Sequence, residues 1–125
     1  VAERPARQYT LEVRGQPLGI NQTRGLHWTR VARDRTVYRD AFALLAKQEH
    51  SGPPFERAHV SVTLVRRRGQ SPLDPDNVYS RAKGPILGLV DAGVLAEESS
   101  AYCDVQVHQE QGKERAIRVE VCELL

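Results

Sequence analysis

The sequence predicts an α/β (α+β) domain, a mixed β-sheet carrying two main helices in the order β-α-β-α-β-β, with residues 1–125 forming one unit. Three observations predict it. Apolar residues alternate with polar ones in four short stretches, and they recur at helical spacing in two others that fall between strands. The third is size: 125 residues, 40% hydrophobic and 27% charged, can bury one core but not two.

Over residues 9–14, Tyr9, Leu11 and Val13 alternate with Thr10, Glu12 and Arg14, which predicts a half-buried strand ending at Gly15, Gln16 and Pro17. Residues 18–33 show little periodicity, and Asn21, Arg24, Gly25, His27 and Trp28 there predict a long, polar, functional loop. Over residues 34–48, Val37, Tyr38, Ala41, Leu44 and Leu45 return at helical spacing until Ser51, Gly52, Pro53 and Pro54 stop the pattern. Residues 58–65 alternate again, with Val60, Val62 and Leu64 on one face and Arg66, Arg67, Arg68 and Gly69 closing the strand.

Asp74 then reads as a helix N-cap, with Pro75 at the first helical position, where its missing N–H removes a donor that would otherwise go unsatisfied. Val78, Ala82, Ile86, Leu89 and Val90 make the apolar stripe of this second helix and Gly93 ends it. Gly84 and Pro85 inside it are expected to kink or split it. Residues 102–109 and 116–121 alternate and are joined through Gln111, Gly112 and Lys113, which predicts an antiparallel hairpin.

No apolar run approaches the roughly 20 residues that span a bilayer, and residues 1–10 lack the apolar stretch of a secretory signal, so a cytoplasmic protein is expected. Cys103 and Cys122 match no metal-ligand spacing and read as free thiols. The net charge of +2 conceals an asymmetry. Residues 1–70 carry 13 Lys and Arg against 6 Asp and Glu, while residues 71–125 carry 5 against 10. A basic part suits a polyanionic partner and an acidic part suits a metal. No nucleophile motif of a Ser-His-Asp hydrolase and no phosphate-cradling glycine loop is present. His59 and His108 have no second ligand near them in sequence and are assigned no role.

The residues that carry chemistry cluster between 74 and 98. Mg²⁺ takes oxygen ligands, commonly one or two carboxylates completed by waters and substrate phosphate oxygens, and Asp74 and Asp76 supply two carboxylates at a helix start. Capping and first-turn acidity explain the same two residues without a metal. Lys83 lies seven residues beyond Asp76, almost two helical turns, and so returns to nearly the same face. A lysine there can stabilise charge on a pentavalent phosphorus, assist the attacking water or protonate the leaving oxygen; a solvated surface lysine is the bland alternative. Glu97 and Glu98 come after the helix end, where one of them could close the metal site if the chain turns back.

Arg66, Arg67 and Arg68 stand just before the acidic motif, in a position to hold a phosphate backbone. In the long loop Arg24, His27 and Arg30 are further candidate DNA contacts, with Trp28 available either to stack on an unpaired base or to cover an edge of the core. Arg81, on the second helix, completes the candidate DNA-binding set.

The stretch from Leu73 to Glu98 resembles the RusA-type Holliday junction resolvases of phages and prophages. Asp74-Pro75-Asp76-Asn77, Lys83, Asp91-Ala92-Gly93 and the acidic pair Glu97 and Glu98 carry the resemblance. The N-terminal part adds Asn21, Arg24 and the helical Tyr38-Arg39-Asp40. The resemblance implies a homodimeric endonuclease of a bacterial or phage-infected cell, dependent on Mg²⁺ with Mn²⁺ as a substitute, that resolves four-way DNA junctions by paired nicks in recombination and repair. It implies Asp74, Asp76 and Glu98, with Glu97 beside it, as metal carboxylates, and Lys83 as the catalytic lysine. Two departures from the family pattern, a wider aspartate-to-lysine spacing and Glu-Glu in place of Asp-Asp, motivate an alternative: a weakly active or inactive protein that binds branched DNA.

Overall fold

The computed structural model describes residues 6–16, 25–97 and 103–125. The elements are β1 (Gln8–Arg14), α1 (Trp28–Glu49), β2 (Ala58–Arg67), α2 (Pro75–Asp91), β3 (Cys103–Gly112) and β4 (Ala116–Glu123), the predicted order. They form a mixed four-stranded sheet in the order β1-β4-β2-β3 with both helices packed on one another, an α+β fold.

β4 is antiparallel to both of its neighbours, whereas β2 and β3 are parallel. β1, β2 and β3 therefore all point the same way. β1-α1-β2 and β2-α2-β3 are consecutive crossover units of the kind that parallel strands require, and β4 fills the gap between β1 and β2.

The expected hairpin does not form, because β2 lies between β3 and β4. Alternation identifies a strand but not its neighbour, and both sides of β2 offer a ladder. Its residues pair with β3 from Ala58↔Cys103 to Arg67↔Gly112, and with β4 from Ala58↔Glu123 to Val65↔Ala116. The short link from β3 to β4 has to pass close over β2. A Cβ at Gly112 would lie 2.6 Å from Val65 Cγ1, so the crossing needs a residue without a side chain.

Element limits and one helix interior also differ from expectation. α1 begins at Trp28, inside the stretch expected to be loop, because Trp28, Thr29 and Arg30 are exposed and give its first turn no apolar period. Its N-cap is His27, whose Nδ1 accepts from the Thr29 backbone N–H at 3.2 Å. β2 runs on to Arg67, so Arg66 and Arg67 are ladder residues. α2 continues through Gly84 and Pro85 without a break. Pro85 forfeits only one intrahelical bond there, and both residues are buried against neighbouring structure. Residues 17–24, including Asn21 and Arg24, and residues 98–102, including Glu98, lie outside the described residues.

The core lies between the helices and one face of the sheet. Phe42 of α1 and Leu89 of α2 meet Val60, Val62 and Leu64 of β2 and Ile117, Val119 and Val121 of β4, all under 2% exposed. Each such side chain contributes about 1.5–3 kcal/mol by leaving water. The opposite sheet face is polar. There Arg118 of β4 reaches across β2 to hold both Glu110 oxygens at 2.9 Å, and its guanidinium keeps the Glu110 carboxyl below the usual range.

α1 and α2 run side by side in the same direction, so that Gly84 sits by Arg35 and Gly88 by Arg39 and Ala43. Arg39 clamps the end of α2, donating to both Asp91 oxygens and holding that carboxyl below the usual aspartate range. Among the described residues no helix is long and apolar enough to cross a membrane.

The closeness of this contact is testable. A Cβ at Gly88 would come within 2.5 Å of the Arg39 carbonyl oxygen and 3.0 Å of the Ala43 nitrogen. Gly88→Ala is expected to lower the unfolding free energy by about 1–3 kcal/mol in urea titrations, despite alanine's better helix propensity. A stabilised variant would show that the helices are free to separate.

Candidate active site

The strand directions place the carboxyl ends of β1, β2 and β3 at one end of the molecule, as the registers Arg14↔Ala116, Val65↔Ala116 and Arg67↔Gly112 show. Each helix starts from that end and runs back. The amino ends of α1 and α2 therefore lie there too, bringing backbone N–H groups and the positive ends of two helix dipoles to the same place.

The segment that leads into α2 is pinned by a reciprocal pair of bonds. The Leu73 N–H donates to Gln109 Oε1 at 2.8 Å, and Gln109 Nε2 donates to the Leu73 carbonyl at 2.9 Å. Asp74 comes next as the N-cap with Pro75 behind it, and its carbonyl accepts from Asn77 and Val78 at 3.0 and 3.1 Å. Its carboxylate makes no capping bond. The structural role that would have explained this side chain without a ligand is thus left to the backbone. Asp76, in the first turn, is exposed, as is Asp74.

Asn77 does the opposite and turns inward. Its Oδ1 accepts from Arg81 Nε at 3.3 Å, Arg81 Nη1 donates to Gln16 Oε1 at 2.8 Å, and Gln16 Nε2 donates to the Val65 carbonyl at 2.7 Å. This chain of bonds ties the first two turns of α2 to the end of the sheet and fixes the rotation that faces Asp76 outward. It also shows how Arg81 is placed. At 3% exposure Arg81 is a buried bracket of the fold, with Nε and Nη1 engaged by Asn77 and Gln16, and not a cation on the open surface. Burial first, and the charge of Arg115 second, make its guanidinium easier to deprotonate than an ordinary arginine, while Asp34 opposes them. Sequence reasoning missed Gln16 because it stands 65 residues from Arg81.

Lys83 is exposed on α2, nearly in line with Asp76 and about 10 Å along the axis. Glu97 is not brought to the aspartates. The chain leaving α2 is fastened to the opposite end of the sheet, where the Phe55 N–H donates to the Val94 carbonyl at 2.9 Å and Phe55 bridges Leu95, just before β2 begins. A helix of 17 residues, about 25 Å, separates Glu97 from Asp74. Among the described residues no three His, Cys, Asp or Glu side chains form a group that could hold a metal. Asp74 and Asp76 can offer two exposed carboxylates, which suits Mg²⁺ when waters and phosphate oxygens complete the shell.

The cations are unevenly placed. Arg67 and Arg68 are exposed at the tip of β2, and Arg66 is half-buried with Nη1 donating to the Gln70 carbonyl at 2.7 Å. Arg30 is exposed in the first turn of α1. His27 is partly committed to capping, and its ring lies 5.6 Å from that of Trp28. Trp28 is 73% exposed and does not cover the core. It lines a shallow groove with Leu26, Val31, Arg35 and Leu87. His59, given no role from sequence, pairs across strands with Asp104 at 3.0 Å. Cys122 is a free, half-buried thiol.

No protein-family model matches this chain, and no curated protein matches its sequence.

The bracket around Arg81 has a measurable weight. Arg81→Met leaves Asn77 Oδ1 and Gln16 Oε1 without their donor and is expected to cost about 1–3 kcal/mol of stability in chemical denaturation. An unchanged midpoint would show that the bonds from Asn77 and Gln16 to Arg81 do not hold α2 in place.

Proposed function

We propose that the protein is a Mg²⁺-dependent endodeoxyribonuclease acting on branched DNA, of the RusA-type Holliday junction resolvase kind, and that it works as a homodimer. The observation that carries this reading is the placement of two exposed carboxylates, Asp74 and Asp76, at the end of the fold that also gathers Arg66, Arg67, Arg68 and the start of α1. Asp74 and Asp76 would hold the metal, which when bound supplies Lewis-acid stabilisation of charge on the phosphate. Lys83, aligned with Asp76, stabilises charge building on the phosphorus-bound oxygens or protonates the leaving oxygen. Arg67 and Arg68 grip the backbone on either side of the cut, and Trp28 offers a ring on which an unpaired base at the branch can stack. Paired nicks need two sites, which two copies provide. Because Glu97 stands at the far end of α2, it joins the aspartates in this reading only from the second copy.

That same separation favours a second reading, in which the described residues of one chain bring only two carboxylates to this end, too few for efficient chemistry, and the protein binds branched DNA without cutting it.

Purified protein incubated with a labelled synthetic four-way junction and a matched linear duplex, in Mg²⁺ or EDTA, separates the two. Under the proposed function, metal-dependent, symmetrically placed nicks appear in the junction alone. Asp76→Asn abolishes them and leaves junction binding within a few-fold of wild type. Full cleavage by Asp76→Asn would sink the mechanism, and junction binding without nicks in Mg²⁺ or Mn²⁺ would establish the second reading.

A further inference from the structure

A pocket of about 320 Å³ opens where β2 ends and α2 is about to begin. Arg66, Arg81 and Arg115 line it, together with Gln16, Gln70 and Ser71, and no carboxylate does so among the described residues. The three arginines come from β2, α2 and the turn before β4, so the fold has to close before they meet. We propose that this pocket is a binding site for a phosphate group.

Three observations support the assignment. The first is the chemistry of the wall. Guanidinium forks match oxyanions in pairs of parallel bonds, and a tetrahedral phosphate accepts from several directions at once, as Arg66 and Arg115 on different walls, a hydroxyl and an amide require; Arg81, whose Nε and Nη1 are held by Asn77 and Gln16, adds its charge to the wall. A carboxylate has only two oxygens and one plane to offer. The second is an unused donor: Arg66 Nε is buried and has no hydrogen-bond partner among the described residues, while its Nη1 is taken by the Gln70 carbonyl. A buried donor without an acceptor costs free energy, and an anion close to the guanidinium offsets part of that cost. The third is the unfavourable proximity of charge. Arg115 repels Arg81, which is already penalised by burial, and Asp34 offsets only part of this. An anion in the pocket relieves the repulsion.

The pocket adjoins the aspartates through the chain itself, since Ser71 and Leu73 line it and Asp74 is the next residue. If the proposed nuclease function holds, the phosphate bound here is a backbone phosphodiester next to the one cut, and the pocket sets the register of the strand against Asp74 and Asp76. That identification of the source rests on the proposed function; the binding of a phosphate group does not.

The test uses inorganic phosphate, with acetate and chloride at equal ionic strength as controls, and reads thermal unfolding and amide NMR shifts of wild type and Arg115→Gln. Arg115 is only half-buried, and its replacement removes a like charge from Arg81, so the variant is expected to fold. Phosphate is expected to raise the midpoint of the wild type beyond either control and to shift the amides of residues 66–71 and of Leu73. Its apparent affinity is expected to fall about tenfold or more in Arg115→Gln. Arg66→Gln, which alters a different wall, is expected to show the same loss.

A second arm measures junction binding by anisotropy in EDTA, where no cutting occurs. If Arg115→Gln also reduces the salt dependence of DNA binding by about one phosphate contact, the source is the nucleic-acid backbone. If DNA binding is unchanged while phosphate binding is lost, the ligand is a free phosphate or a small phosphate ester. Either outcome supports a phosphate site, and neither depends on nuclease activity. Stabilisation by phosphate no greater than by the controls, or equal in wild type and both variants, would overturn it.

Discussion

The close approach of α1 to α2 is the constraint on which the placement of the candidate site depends. Gly84 and Gly88 let the two backbones come together, and the ion pair of Arg39 with Asp91 fixes their relative slide. With the helices locked side by side and pointing the same way, their amino ends arrive together at the carboxyl end of the parallel strands. A bulkier residue at Gly88 would not merely cost packing energy. It would move the first turn of α2, with Asp74 and Asp76, relative to the start of α1.

The sheet supplies the other half of that placement. Two successive crossover units deliver every return of the chain to the same end, and the insertion of β4 between β1 and β2 brings Arg115 to that end as well. In open α/β sheets the crevice outside the strand carboxyl ends is the usual place for a ligand, because loops and helix N–H groups converge there. The same topology explains why Glu97, beyond the end of α2, is remote. A crossover helix carries the chain the full length of the sheet, so the segment after it begins at the opposite end, as the bridge between Phe55 and Leu95 shows.

Much of this was legible in the sequence, for identifiable reasons. Alternation found the strands because one face of the sheet is buried and the other polar, and Asp74 with Pro75 marked the start of α2 to the residue. Pairing was not legible, since the residues of β3 and β4 alternate equally well whether they meet each other or flank β2. The first turn of α1 was hidden by its exposed side chains, and the burial of Arg81 was hidden because a charged residue gives no sequence signal of burial when its partners, Asn77 and Gln16, are polar. Of the candidate site, the aspartates and Lys83 were visible as a local motif on one helix face. The pocket of Arg66, Arg81 and Arg115 was not, because no spacing law relates residues that only tertiary closure brings together. The distance from Asp74 to Glu97 went unseen for the converse reason: the two lie close in sequence, but a rigid helix keeps them apart.

Under the proposed function the first turn of α2 is where a divalent cation binds, and a Mn²⁺ titration of isotopically labelled protein followed by amide NMR tests this most directly. Paramagnetic broadening is expected first at Asp76, Asn77 and Val78, reversed by excess Mg²⁺ and lost in Asp76→Asn. Broadening that spreads evenly over the acidic surface, or that centres on Glu110 and Glu120 of the polar sheet face while sparing α2, would contradict it.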